Sequence, residues 1–261
     1  MDVLIAGGGT GGHLFPGIAL AQEIRRRDPG SRILFVGSPR GIEVRAVPKA
    51  GFDLELLPVS GLRSMGLKGV VLGLMRLPIA IIKAFFLVIR FRPQLAISCG
   101  GYAAGPAVLA ARLLGIPCIV LEQNALMGTT NRILGKLATK IMASLPVVGA
   151  DPEKVEVLGN PVRPDLLPIR EQEYQPKSPI ELLIFGGSQG ARALNEVMME
   201  VAPQLVESQL PIRITHQTGA ADFERVQKAY ENAGFDDATV LTFIDDMASA
   251  YKRADLILCR A

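Results

Sequence analysis

Apolar and polar positions along the chain alternate between two textures. Short apolar runs stand at Val3–Ala6, Ile33–Val36, Leu54–Leu57, Leu95–Ser98, Cys118–Leu121 and Lys140–Ala143. Helical stretches lie between several of them, at Pro16–Arg27, Ala103–Leu114 and Thr129–Ala138. Runs that stay apolar, without alternating polarity, suit a parallel sheet covered on both faces, so the spacing predicts an α/β fold. The pattern pauses where Pro161, Pro164, Pro168, Pro176 and Pro179 crowd among charges, a density that stops helices and central strands. It resumes as strand Glu181–Phe185, helix Ala191–Glu207, strand Ile212–His216, helix Asp222–Ala233, strand Thr239–Thr242, helix Met247–Arg253 and strand Leu256–Cys259. We therefore expect a first domain over 1–160, a proline-rich linker over 161–179 and a second domain over 180–261. Because its last run is an apolar strand still in need of crossover partners, the second domain reads as incomplete.

The two halves echo each other. Residues Val3–Gly12 read VLIAGGGTGG and Leu182–Gly190 read LLIFGGSQG, each a strand entering a glycine-rich loop that opens a helix. Two similar open α/β domains facing across a cleft would bring one loop from each half to a common ligand. In the first loop Gly7, Gly9 and Gly12 satisfy G-x-G-x-x-G, where helix N–H groups favour a phosphate or another electron-rich group. A dinucleotide site also wants an acid closing the second strand, and the chain has Gly37-Ser38-Pro39-Arg40 there. Arg40 would suit a 2′-phosphate, which keeps an NADP-dependent reductase as an alternative. His13 stands where a P-loop needs its lysine, so that class is excluded.

His13 closes the loop at a helix start, where the helix dipole disfavours imidazolium and keeps the neutral ring available as a base; a structural role is the alternative. His216, on a strand in apolar surroundings, reads as structural. The second loop offers backbone N–H groups and the Ser188 hydroxyl, which suit a diphosphate. Arg163, beside Asn160 and Pro161, either clamps that charge or is solvated.

Composition changes this picture in one respect. The 261 residues are 49% hydrophobic with no Trp, which excludes a disordered or disulfide-stapled protein. The formal charge of +3 hides +10 over residues 1–150 and −7 over the remainder. Between Glu55 and Glu122 there is no acid, while Arg63, Lys68, Arg76, Lys83, Arg90, Arg92 and Arg112 are basic. Few aromatics are present to stack bases, so an anionic membrane surface fits this stretch better than nucleic acid. Residues 65–91 are apolar, but their charges cut them too short to span a bilayer. Pro78 suits the first turn of a helix reaching Phe91, with Arg76, Lys83 and Arg90 along one face; the helix either docks on a surface or is buried with a solvated edge. Three cysteines without C-x-x-C spacing and two distant histidines give no disulfide framework or zinc site. No signal peptide is readable, and the chain reads as a reduced cytosolic protein.

Taken in order, GGGTGGHLFPGIALA, SGLR (60–63), SCGGY (98–102), LEQNA (121–125), GNPVR (159–163), GGSQGAR (186–192) and TFIDDM (242–247) span the whole chain. Together they resemble the MurG family, bacterial UDP-N-acetylglucosamine:undecaprenyl-pyrophosphoryl-MurNAc-pentapeptide N-acetylglucosaminyltransferases. The resemblance implies a GT-B fold and an inverting transfer without metal or cofactor. It implies GlcNAc moving from UDP-GlcNAc to the MurNAc 4-hydroxyl of lipid I, giving lipid II, with the enzyme peripheral to the cytoplasmic face of the plasma membrane. Carried over by motif, His13 is the general base and Thr10, Gly11 and Gly12 lie at the donor–acceptor boundary. Asn124 lies near the sugar, Arg163 and Ser188 hold the diphosphate, and the Ile244 main chain meets the uracil. Arg63, Lys68, Arg76, Lys83 and Arg90 face the membrane. The family continues past Ala261 into a segment that helps bind the donor. The chain as given is therefore expected to be either part of such an enzyme or an inactive binding module for nucleotide sugar or membrane.

Overall fold

A computed structural model describes residues 1–59, 67–171, 173–175, 177–187 and 189–260. They form two compact units, Met1–Arg163 and the residues from Pro164 onward. The first is built on parallel strands β1 (Asp2–Gly7), β2 (Arg32–Gly37), β3 (Asp53–Leu56), β4 (Leu95–Gly100), β5 (Cys118–Glu122), β6 (Lys140–Ala143) and β7 (Val155–Val157), in the order β3-β2-β1-β4-β5-β6-β7. Helices α1 (Gly11–Arg27), α2 (Glu43–Lys49), α3 (Leu67–Phe91), α4 (Ala104–Leu113) and α5 (Thr129–Leu137) cover it.

Successive side chains of a strand point to opposite faces, and both faces of β1 are apolar. Val3 and Ile5 pack with Leu14, Ile18 and Val47 of α1 and α2 on one side; Leu4 and Ala6 join the core containing Ala84, Val88 and Val108 of α3 and α4 on the other. Each such fully buried aliphatic side chain contributes roughly 1.5–3 kcal/mol. The sheet is therefore doubly wound, as its continuous apolar runs require.

The second unit repeats the scheme with β8 (Ile180–Phe185), β9 (Ile212–Gln217), β10 (Ala238–Leu241) and β11 (Leu256–Cys259) in the order β10-β9-β8-β11. This is the order β3-β2-β1-β4 again, and the two glycine runs follow the equivalent strands β1 and β8. Helices α6 (Arg192–Ser208), α7 (Phe223–Ala233) and α8 (Met247–Arg253) complete it. The proline-rich stretch contains a 3-10 helix, Pro164–Glu171, resting against α8.

Helix starts depart most from the sequence pattern. α1 begins at Gly11, five residues before Pro16, which lies inside it. Proline there removes only the bond to the Gly12 carbonyl in the opening turn, so the helix tolerates it. α3 likewise begins at Leu67 with Pro78 internal. It ends where Arg92 takes a left-handed conformation (φ 54°) before Pro93. The seven-residue α2 and the three-residue β7 are too short to show a period.

Candidate active site

In an open α/β sheet the binding crevice opens at the carboxyl ends of the two strands where the order reverses, here β1 and β4. The loop after β1 and the loop after β4 touch main chain to main chain: a Cβ on Gly101 (φ 84°) would fall 2.5 Å from the Gly8 carbonyl oxygen. His13, in the first turn of α1, lies over the second loop; a Cβ on Gly100 (φ 92°) would fall 2.9 Å from its Nδ1. Only glycine lets backbone and imidazole come this close. The ring is half-buried, and its Nδ1 is 3.2 Å from Gln123 Oε1. In the tautomer with its hydrogen on Nδ1, that nitrogen donates to the amide oxygen and Nε2 carries the lone pair.

Two buried carboxylates hold these loops from behind. Glu43, the first residue of α2, is fully buried and points beneath the glycine loop. Its Oε2 accepts from Gly9 N–H (2.8 Å); its Oε1 accepts from the Ser38 N–H (2.8 Å) and Oγ–H (2.7 Å). A Cβ on Gly8, Gly37 or Gly41 would run into its side chain. Glu122, closing β5, accepts from Asn124 N–H (3.0 Å) and Nδ2 (3.2 Å), from Gly128 N–H (3.2 Å) and from Asn131 Nδ2 (3.1 Å). Asn131 in turn accepts from Ser98 Oγ (2.7 Å), whose oxygen receives the Gly100 N–H (3.3 Å). Buried carboxylates are costly unless every lone pair finds a donor, and here main-chain N–H groups supply most of them.

The second glycine loop is held differently. Gly190 (φ 77°) and Gly219 (φ 77°) let the loops after β8 and β9 meet; a Cβ on either would collide with backbone of the other loop. Gln217 Nε2 donates to the Gly187 (2.9 Å) and Thr242 (3.2 Å) carbonyls. Asn195 Nδ2 donates to the Thr218 carbonyl (2.9 Å) and to Asp222 (3.0 Å), while its Oδ1 pairs with His216 Nε2 (3.1 Å). His216 is fully buried, with Nδ1 3.1 Å from the Tyr230 hydroxyl. Burial lowers its pKa to about 4, and its structural assignment holds. The hydrogen bond from Asn195, then Arg225, keeps the Asp222 carboxyl below the ordinary range.

The expected site residues fall as follows. His13, Thr10, Gly11 and Gly12 open α1 at the first crevice, and Thr10 is its N-cap residue. Asn124 is exposed beyond β5, tied to Glu122. The Arg163 guanidinium lies 5.3 Å from the Phe15 ring centroid, a cation–π contact with α1. The Ile244 side chain is buried with Leu183 and Ala250, so its main chain is the part that can meet a ligand. Ser188 and Arg63 lie outside the described residues, as do the Lys68 and Arg76 side chains. Lys83 and Arg90 are exposed on α3, and Arg90 pairs with Glu55 at 2.7 Å. Around them Ile79, Ile82, Phe86 and Ile89 form an exposed apolar stripe, Phe86 at 69%, opposite the buried Ala80, Ala84, Leu87 and Val88. α3 is thus neither wholly core nor merely charged at its edge. Among the described residues no helix is long and apolar enough to cross a membrane. The pattern did not single out Glu43, Glu122, Gln123, Asn195 or Gln217; the glycines flanking Glu43 and the LEQNA run containing Glu122 and Gln123 are their only sequence signals.

Two Rossmann-like units in one chain, each with a glycine loop at the carboxyl edge of its central strand, are the elements of a GT-B scaffold. The model of the glycosyltransferase family 28 N-terminal domain matches residues 3–143, and that of the family's C-terminal domain matches residues 181–261. Over its whole length the chain is 46% identical to a UDP-N-acetylglucosamine--N-acetylmuramyl-(pentapeptide) pyrophosphoryl-undecaprenol N-acetylglucosamine transferase of Myxococcus xanthus, covering 68% of that protein. It is 47% identical to the Anaeromyxobacter dehalogenans protein of the same name, again covering 68%. The Acinetobacter baumannii MurG crystal structure matches the whole chain with a TM-score of 0.67 at 34% identity, 73% of that structure being covered. A Neisseria meningitidis UDP-GlcNAc 2-epimerase, at 14% identity, TM-score 0.66 and 78% coverage of its chain, shares the fold alone. The chain belongs to glycosyltransferase family 28 and, within it, to the MurG family.

Proposed function

We propose that this protein transfers GlcNAc from UDP-GlcNAc to the 4-hydroxyl of the MurNAc residue of lipid I, forming lipid II for peptidoglycan synthesis. The observation that carries this is the identity, over the whole chain, with transferases named for that reaction. Family membership removes the reductase alternative, since G-x-G-x-x-G alone is shared by many α/β folds.

The chemistry divides between the units. In the first, His13 Nε2 takes the proton of the acceptor hydroxyl as its oxygen attacks C1 of the donor sugar. The C1–O bond to UDP breaks on the opposite face, inverting the anomeric centre, and the electron pair leaves on the diphosphate. In the tautomer that donates Nδ1–H to the Gln123 oxygen, Nε2 is the base. In the second, the glycine loop after β8 and the start of α6 stabilise the charge that develops on the diphosphate, with Ser188 as a side-chain partner. The Ile244 main chain meets the uracil, and Thr10, Gly11, Gly12 and Asn124 meet the sugars.

The exposed stripe of α3, with Lys83 and Arg90 beside it, docks the protein on the anionic cytoplasmic leaflet where a lipid-linked acceptor resides. The test is transfer of labelled GlcNAc from UDP-GlcNAc to a lipid I analogue by the folded protein. Its absence would overturn the proposal.

A further inference from the structure

Two loops close on the His13 imidazole from the side of Nδ1. In the loop after β4, Gly100 leaves room for the ring: a Cβ there would fall 2.9 Å from Nδ1. The loop after β5 brings the Gln123 side chain to the same nitrogen, with Oε1 at 3.2 Å. That second loop is pinned at several points. The Glu122 carboxyl group, 1% exposed, accepts from the main-chain N–H of both Asn124 and Gly128, so one buried group clamps the loop near each end. The Ala125 carbonyl accepts the Val148 N–H at 3.0 Å, which fastens its middle to the loop after β6. Asn131 joins the clamp to the other loop: it donates to Glu122 Oε2 and accepts from Ser98 Oγ, which receives the Gly100 N–H. One hydrogen-bonded network therefore sets both Gly100 and Gln123 against His13.

A neutral imidazole holds its hydrogen on one nitrogen, and only the other can take a proton. Without a partner the hydrogen favours Nε2, which would leave the lone pair on the enclosed Nδ1. A hydrogen-bond acceptor at Nδ1 reverses that preference. Resting on the transfer proposed above, we infer that Gln123 is a positioning residue: its amide oxygen accepts the Nδ1–H of His13 and so keeps the Nε2 lone pair for the acceptor hydroxyl. Gln123 acts through His13, and the clamp around Glu122 delivers it. A carboxylate in its place could accept the same hydrogen but would also stabilise the imidazolium, which is no base. The amide sets the tautomer without adding charge.

The test reads the tautomer directly. The chain has two histidines, so nitrogen-15 NMR of histidine-labelled protein shows two rings, and His13→Ala assigns them. At about pH 9, where an ordinary imidazole is neutral, His13 is expected to carry its hydrogen on Nδ1. Gln123→Leu, which removes the acceptor, should move the hydrogen largely to Nε2. Gln123→Glu offers only oxygens and should keep it on Nδ1. In the transfer assay Gln123→Leu is expected to lower kcat about 10–100-fold, part of the worth of a positioned base, while the KM for UDP-GlcNAc stays within about twofold. Hydrogen on Nε2 in the unsubstituted protein overturns the inference, because the amide then turns its nitrogen to the ring. So does a tautomer that moves in Gln123→Glu, or a folded Gln123→Leu with unchanged tautomer or unchanged kcat. Should Gln123→Leu not fold, the unsubstituted protein and Gln123→Glu decide. If no GlcNAc is transferred while the tautomers follow Gln123 as stated, the transfer reading fails and the assignment of Gln123 as the group that sets the His13 tautomer stands.

Discussion

The glycine loops after β1 and β8 occupy equivalent places in sheets of equivalent order, yet opposite chemistry holds them from behind. Behind the first lie two buried carboxylates, Glu43 and Glu122, bonded to main-chain N–H groups and neutral side chains. Behind the second lie amides and a neutral imidazole, Gln217, Asn195 and His216, and the one carboxylate in that network, Asp222, is offset by Arg225. The carboxyl groups of Glu43 and Glu122 take up main-chain N–H groups of the first unit's loops, whereas Gln217 and Asn195 tie down carbonyls of the second unit's loops. The fold supplies the same crevice twice, and different buried polar residues shape each copy.

If the first loop serves the acceptor hydroxyl and the second the donor diphosphate, mutations should separate turnover from donor affinity. The largest effect is expected at His13. His13→Ala should lower kcat by about 10²–10⁴-fold, the usual worth of a positioned base, while UDP affinity by calorimetry stays unchanged. A parallel loss of UDP affinity would merge the two regions that the comparison separates.

Next in size is Gly190→Ala. The residue has φ 77°, and its new methyl would collide with the Thr218 carbonyl, main chain that cannot swing aside. The substitution should destabilise the second unit by about 3 kcal/mol or more in chemical denaturation and remove UDP binding. Gly187, with φ 85° and nothing within 4 Å of its would-be Cβ, supplies the control: Gly187→Ala should cost only about 1 kcal/mol. Equal losses at the two positions would mean that close contact between the loops after β8 and β9 contributes nothing.

These residues also show how far the sequence reaches. Strand–helix alternation located most strands to within a residue or two and the repeat of VLIAGGG and LLIFGGS anticipated the repeated strand order, because burial on both faces writes itself into continuous apolar runs. The glycine loops and His13 were legible because their residue types are rare in that context. The groups behind the loops were not. Glu43 and an exposed glutamate look alike in a linear pattern, and its burial depends on space left by three glycines that converge only in the folded sheet. The same holds for Asn195 and Gln217, whose partners lie 23 and 30 residues away. Counting acids between Glu55 and Glu122 left Arg90 without a partner, whereas β3 brings Glu55 to it.

His216 offers a smaller test of the neutral scaffold. Its folded-state pKa, lowered by burial to about 4, lies below the ordinary 6.5, so the neutral form stabilises the second unit fully above about pH 6.5. That stability is lost as pH falls from about 6.5 toward 4, by about 3 kcal/mol at most. Denaturation of the second unit followed between pH 7 and 4 should show this decline, and His216→Gln should flatten it. A decline that survives the substitution would assign it to Asp222 or other carboxylates.

The smallest effect concerns α3. The Arg90–Glu55 pair is solvent-exposed on both sides, at 75% and 44% of the side chains, so it contributes less than about 1 kcal/mol and fades with salt. Glu55→Gln should therefore leave stability nearly unchanged. Near an anionic leaflet each free Lys or Arg is worth about 1 kcal/mol, and the substitution removes both a repelling acid and a competitor for Arg90. Co-sedimentation with vesicles containing anionic lipid should tighten by about two- to fivefold, whereas charge reversal at Lys83 and Arg90 together should weaken it by more. If neither change moves vesicle binding while Phe86→Ser abolishes it, the apolar stripe alone does the docking, and the basic character of the first unit has no part in it.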